Sequence, residues 1–401
     1  MTGRRPPEKP GGCAVVRSGT ILGAGPDQTD AGQVLICRGR VSRACPHQPV
    51  PIDADGCLVA PGLVDIHVHG AHGHDLTDPD PAAWQQALAA HLAAGTTTAL
   101  ATLASTSHGQ TADALRTAAA LTGSPVTPTL AGVHLEGPCL APEQRGAHDP
   151  GRLRTAEQLL DELTPLPEAL LMVTLAPELP GADALISYLA GHGVTVSAGH
   201  SSATPSQLLH AQHLGLLHLA HLWSGQSTLT RPALHRLPGL LEASLASDGL
   251  TAEVIADGHH LPPTLLTIAL RCLGPQRLCL VSDATAGTGL PPGAVFRTGA
   301  STGRVHDGGY AATEDGTSLC GSVTPLAGCA ARMREMTGAP IEDIVTMATA
   351  TPARAAGLYP RKGSLLTGAD GDIVLLGAAL EVRAVVLAGH LVTDALAGRA
   401  R

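Results

Sequence analysis

Histidines and carboxylates carry the first chemical signal in this chain, because they stand at regular stations along it. His67 and His69 form a His-x-His pair, Glu136 closes LAGVHLE, His200 closes GVTVSAGH, His221 lies in LLHLAHLW and Asp283 in LCLVSDA. Residues two apart on an extended segment share a face, so His67 and His69 can address one ion together. Imidazole with carboxylate suits Zn2+ or a similar divalent cation. In a chain with 20 histidines any single one would mean little. A ligand-type residue at the end of one extended run after another is a different matter, since buried charge is seldom left without a purpose. Asp283 could cap a turn in Ser-Asp-Ala-Thr, yet it is also placed to serve as general base and then as acid. A divalent cation brings the pKa of a water it holds toward about 7, and the aspartate collects the proton.

These residues need elements to position them. From Pro61 to about Leu290 a run rich in Val, Leu or Thr is followed by a polar tip and then an Ala/Leu helical pattern, over and over. Strands are predicted at 63–68, 96–104, 130–136, 170–178, 193–200, 216–223, 252–258 and 278–284. Helices are predicted at 82–95, 182–193, 204–215 and 262–274. The third has Thr204 as N-cap with Pro205 at the first position, and the fourth ends on a glycine suited to a C-cap. Eight such units fit a (β/α)8 barrel, although alternation alone also fits a doubly wound sheet. The chemistry decides between them. Strands one, three, five, six and eight point into one mouth only in a barrel, so an α/β TIM-type barrel is expected over 61–358. The segments 1–60 and 359–401 are β-rich, broken by Gly, Pro and Asp, and too short to bury a core alone. They are expected to pair into one small sheet domain.

Composition narrows the function. A net charge of −9 without a basic run argues against a nucleic-acid partner. No stretch of about 18 apolar residues predicts a membrane span. The opening MTGRRPPEKPGG lacks the apolar core of a leader. Nine cysteines, odd in number and without a Cys-x-x-Cys pair, suit reduced thiols in a cytoplasmic protein. Cys139 reads as a small buried thiol, and His72, His74, His210, His213 and His218 as surface or helix positions.

The motifs PGLVDIHVHG, VHLEGP, RGAHDP, SAGHS, AHLW, IADGHH, SDAT and TPARAAGL occur in an order that resembles the N-acetylglucosamine-6-phosphate deacetylases of the amidohydrolase superfamily. The resemblance runs from about Gly56 to Val392. It implies a barrel flanked by a small β-sandwich built from both chain ends. It implies that Glu136, His200 and His221 hold the main metal, that His67 and His69 allow a second, and that Asp283 is the acid/base. No lysine ends the fourth strand, so Glu136 is the expected bridge. His148 is expected at the acetyl or sugar part of the substrate, His260 near sugar or phosphate, and Leu319 in a loop near the substrate. Where relatives read Asn-Ala-Met to cradle the sugar phosphate, this chain has Ser224-Gly225-Gln226. Arg236 in HRLPG is the counterpart of an arginine that a neighbouring subunit lends to the phosphate.

The expected activity is removal of acetyl from N-acetylglucosamine 6-phosphate with one or two zinc ions, or Fe, Mn or Co, in a homodimer. The altered triplet keeps open a different N-acyl amino sugar or small amide. A degenerate barrel that only binds is the non-enzymatic alternative, and the complete ligand set argues against it.

Overall fold

The computed structural model describes residues 11–23, 32–127 and 129–395. The opening segment read above as lacking a leader core lies largely outside these residues. The barrel strands are β1 (Leu63–Val68), β2 (Thr96–Leu103), β3 (Leu130–Glu136), β4 (Leu170–Leu175), β5 (Thr195–Ala198), β6 (Leu216–Leu219), β7 (Thr251–Ile255) and β8 (Leu278–Val281). They form one eight-stranded sheet in strict sequence order, with every neighbouring pair parallel. Parallel strands covered on both faces read as continuous apolar runs, and β1, β2 and β8 are buried along their whole length.

The outer helices include α1 (Pro81–Ala93), α2 (His108–Leu121), α3 (Ala156–Glu162), α4 (Ala182–Gly191), α5 (Pro205–His213), α6 (Leu240–Ala246), α7 (Pro263–Leu273) and α8 (Leu326–Thr337). Their ends follow the expected local chemistry. Thr204 caps α5 in a reciprocal capping box with Gln207. Gly274 ends α7 at φ 67°. Two further helices, α9 (Ile341–Ala348) and α10 (Ala350–Ala355), complete the shell.

The seam between β1 and β8 is closed differently from the other joints. One Asp65 carboxylate oxygen accepts the Ser282 hydroxyl at 2.5 Å, and the other accepts the Ser282 backbone N–H at 3.3 Å. Beyond it, Asp283 N donates to His67 O at 3.0 Å and His69 N to Ala284 O at 2.7 Å. The catalytic candidates of the first and last strands therefore face each other across this joint.

The chain ends form two sheets rather than one. Ala14–Arg17, Val34–Cys37, Arg40–Val41 and Val50–Asp53 make a four-stranded sheet. Thr20–Ile21, Leu58–Pro61, Ile373–Leu376, Val382–Leu387 and His390–Asp394 make a five-stranded one. The two share a core that includes Val16, Ile36, Val59, Ile373 and Val386, as a sandwich requires. The two ends meet where Ile373–Leu376 pairs antiparallel with Leu58–Pro61.

A small antiparallel sheet of Val295–Thr298, Ser301–Val305 and Ala311–Thr313 follows β8 and was not foreseen from the sequence. Its own core contains Phe296, Val305, Ala311 and Cys320. It stands over the C-terminal mouth of the barrel, and Thr298 and Ser301 reach the cavity there.

Candidate metal centre and substrate cavity

Four histidines at the strand ends are each fixed in the same tautomeric sense. His67 Nδ1 lies 2.8 Å from Glu253 Oε2, His69 Nδ1 3.1 Å from Thr102 O, His200 Nδ1 2.8 Å from Gln144 O and His221 Nδ1 3.1 Å from Ser224 O. Each outer partner is an acceptor, so each ring donates outward from Nδ1 and keeps its Nε2 lone pair for the interior. There the Nε2 atoms meet carboxylates, which are acceptors too. His200 and His221 approach Glu136 Oε1 at 3.0 and 2.8 Å, and His69 approaches Asp283 Oδ1 at 3.1 Å. His67 Nε2 is buried without a hydrogen-bond partner among the described residues, 3.5 Å from Glu136 and 3.7 Å from Asp283. Lone pairs facing lone pairs are repulsive unless a cation sits between them. The donor set therefore fits a divalent ion.

The carboxylates are held ionised. Burial works to raise Glu136, yet its interactions with His67, His148 and His200 hold its carboxyl well below the usual range. Asp283 behaves alike: burial opposes ionisation, and His69 and His67 outweigh it. His200 and Asp283 adopt left-handed backbone at φ 49° and 48°. Non-glycine residues in that region carry strain that clusters at functional sites. Both are turned inward from the strand ends by that twist.

The cavity above this cluster holds about 290 Å³ and is lined by His148, His260, Ser224, Gly225, Leu319 and Trp223 among others. His148 Nδ1 accepts the Ser105 N–H at 3.3 Å, which places its proton on Nε2, 3.3 Å from Glu136 Oε2. It thus aims an N–H donor at the cluster. His260 is held through Nδ1 by Asp257 at 2.9 Å. Burial would raise Asp257, but His260 and two backbone N–H groups bring it down to about 2.

The triplet that replaces Asn-Ala-Met does more than line the cavity. Ser224 O orients His221, and the Gln226 side chain turns inward to donate to Ala220 O at 2.8 Å. Gly225 has φ 64°, and a Cβ there would sit 2.6 Å from His200 Nδ1. Arg236 is exposed on the loop after this triplet and does not line the cavity of its own chain. No lysine or arginine lines that cavity among the described residues.

Several supporting residues escaped the sequence reading. Glu253 is fully buried and receives His67, the His221 backbone N–H at 3.1 Å and His218 Nε2 at 3.2 Å. Burial would raise it, but His67 and His218 hold it well below the usual range. His218, expected at the surface, is wholly buried because its place on β6 turns it inward to Glu253 and Thr251. His134 is buried between Ile66 O and Thr174 Oγ1, and desolvation pushes it down to about 3, so it is a neutral spacer. Glu178, in the APE run after β4, accepts from Ser201 Oγ at 2.7 Å and steadies the turn beyond His200. Cys139 is fully buried, and burial pushes its thiol up to about 12, as a core thiol should behave.

A parallel barrel with histidines and carboxylates at its C-terminal mouth is the form of an amidohydrolase, and the amidohydrolase family model matches residues 58–392; the chain belongs to that family. Within it, the N-acetylglucosamine-6-phosphate deacetylase of Bacillus subtilis (strain 168) is 32% identical over 373 residues, 90% of this chain and 92% of that protein. The N-acetylgalactosamine-6-phosphate deacetylase of Escherichia coli O157:H7 is 33% identical over 86% of this chain and 91% of its own. The N-acetyl-D-glucosamine-6-phosphate deacetylase of Mycobacterium smegmatis, a mutant solved with N-acetyl-D-glucosamine-6-phosphate, superposes with a TM-score of 0.83 at 29% identity. That match covers 95% of this chain and 99% of the other.

Proposed function

We propose that this chain is a zinc-dependent deacetylase that converts N-acetylglucosamine 6-phosphate to glucosamine 6-phosphate and acetate. The observation that carries the reading is the convergence of four outward-pinned imidazoles and two carboxylates beneath one cavity. Glu136, His200 and His221 would hold the principal ion, and His67, His69 and Asp283 a second. A divalent cation there supplies Lewis-acid polarisation and a water of lowered pKa.

The remaining work falls to the chain itself. His148 Nε2–H donates to the acetyl carbonyl oxygen and stabilises the negative charge that develops on it. Asp283 takes a proton from the water whose oxygen attacks the acetyl carbon. As the C–N bond breaks, Asp283 returns that proton to the sugar nitrogen, leaving acetate and the free amine. His260, fixed by Asp257, positions the sugar from the opposite wall.

Acetate release from N-acetylglucosamine 6-phosphate beside the unphosphorylated sugar tests the proposal. A strong preference in kcat/KM for the phosphorylated sugar is expected, and activity on neither would overturn the substrate. A second reading, another N-acyl amino sugar or small amide, draws on the absence of lysine and arginine from the described cavity wall. Including the galactose epimer and unphosphorylated amides in the same assay separates the two.

We also infer a cytoplasmic homodimer. None of the described helices is long and apolar enough to cross a membrane. The loop bearing Arg236 exposes Leu229, Leu234 and Leu237, the second at 87%, which suits a surface that meets a second copy and lends it that guanidinium.

A further inference from the structure

Three of the nine cysteines, 24 and 8 residues apart, are brought together far from the barrel mouth. Cys13 precedes the strand Ala14–Arg17, Cys37 ends Val34–Cys37, and Cys45 follows Arg40–Val41. The hairpin Arg38–Gly39 has positive φ at both positions, 52° and 74°, which is the tight turn a two-residue connection needs. It turns the chain back so that Cys45 returns over Cys37. The Sγ atoms of Cys13, Cys37 and Cys45 all lie within 4.8 Å of one another, with Cys45 and Cys37 in direct contact at 2.7 Å. Three thiols assembled from three segments differ from the chain's other cysteines. Cys57, Cys139, Cys279, Cys320 and Cys329 are buried, whereas Cys13, Cys37 and Cys45 are only partly covered and open to an entering ion.

One backbone donor already faces the group. The Arg38 backbone N–H donates to Cys13 Sγ at 3.4 Å. The Arg38 Nε–H donates to His47 Nε2 at 3.3 Å. Soft thiolate sulfur selects Zn2+ and other thiophilic ions over Mg2+ or Ca2+, and structural zinc takes Cys3His sets in tetrahedral form.

We propose that Cys13, Cys37 and Cys45 form a second, structural zinc site in the small β-sandwich. Zinc entry releases the thiol protons to solvent and forms Zn–S bonds without any change of oxidation state. The ion ties the edge of the four-stranded sheet to the loop that follows it. It owes nothing to the barrel chemistry, and the two can be tested apart.

The experiment uses the full-length, reduced, metal-stripped chain titrated with Co2+ as a spectroscopic stand-in for Zn2+. Sulfur-to-cobalt charge transfer in the near ultraviolet reports only thiolate ligation, and no cysteine among the described residues lines the barrel cavity. The expected result is a near-ultraviolet band in the wild type that Cys37→Ser and Cys13→Ser abolish or sharply weaken and Cys272→Ser leaves intact. Turnover per active-site metal should stay within two-fold in each variant. In parallel, Zn2+ should protect three thiols of the wild type from a thiol reagent, a readout that stands if a variant fails to fold. A wild type without the band, a band that survives both cluster substitutions, or an intact mass two hydrogens short with no protected thiols would overturn the site. The last outcome would assign Cys37 and Cys45 to a disulfide instead.

Discussion

At the scale of single residues, the proposed role of Asp283 separates holding an ion from using it. Its carboxylate stays ionised because His69 and His67 outweigh the desolvation that opposes charge, so it can accept a proton at neutral pH. Asp283→Asn keeps the shape and removes the base. Turnover should fall by about 10²- to 10⁴-fold, the usual worth of a positioned acid/base group. Metal content measured on the same preparation should hold at the level of the principal ion, since Glu136, His200 and His221 remain. Wild-type-like turnover would remove Asp283 from the role.

At the scale of elements, the loop after β6 is packed tightly beneath the metal candidates. Gly225 adopts φ 64° directly beneath His200. Gly225→Ala puts a methyl into that ring and strains the backbone, at a cost on the order of 1–3 kcal/mol. Thermal unfolding should show the loss, and kcat should fall with it because His200 is displaced. A variant with unchanged melting and kcat would show that the loop can move aside.

What the sequence disclosed and withheld also divides by element. The strands were legible because both faces are buried, which writes them as unbroken apolar runs. Thr204 and Gly274 announced the ends of α5 and α7 through local rules. The metal candidates were legible because each closes such a run. Glu253 and His218 were not, since one of the two carboxylates of TAEVIADG and one of many histidines acquire meaning only when β6 and β7 lie side by side. The sheet at 295–313 was passed over because its strands are short and its core rests on few side chains such as Phe296. The cysteine group was invisible because spacings of 24 and 8 match no familiar motif, and only the hairpin at Arg38–Gly39 folds them together.

At the scale of the whole molecule, a partly buried ion cluster secures the small sandwich. Lys362 Nζ lies 2.6 Å from Asp372 and 2.9 Å from Asp370, while Arg40 and Arg361 reach Asp370 from outside. Desolvation opposes charge on Lys362, and the two aspartates more than compensate, so its folded pKa is raised. That contribution is present below the unfolded lysine value and is lost as pH rises through the folded one. Asp370 runs the other way: desolvation raises it, but Lys362 and the arginines hold it below the usual range. Its contribution is present above the unfolded carboxylate value, about 4, and is lost as pH falls toward the folded one. Lys362→Met leaves both carboxylates without their buried partner and should cost about 3–5 kcal/mol in urea unfolding. The acid limb of stability against pH should flatten in the same variant. A loss under about 1 kcal/mol would mean that the arginines suffice.

The side-chain seam between β1 and β8 gives the enzyme an order of assembly. A chain emerging from its N-terminus has presented His67, His69, Glu136, His200 and His221 well before Asp283 exists to join them. Only when Ser282 reaches Asp65 and the last strand docks beside the first does the aspartate swing in across from the opening histidine pair. Hydrolysis is thereby reserved for the finished circle.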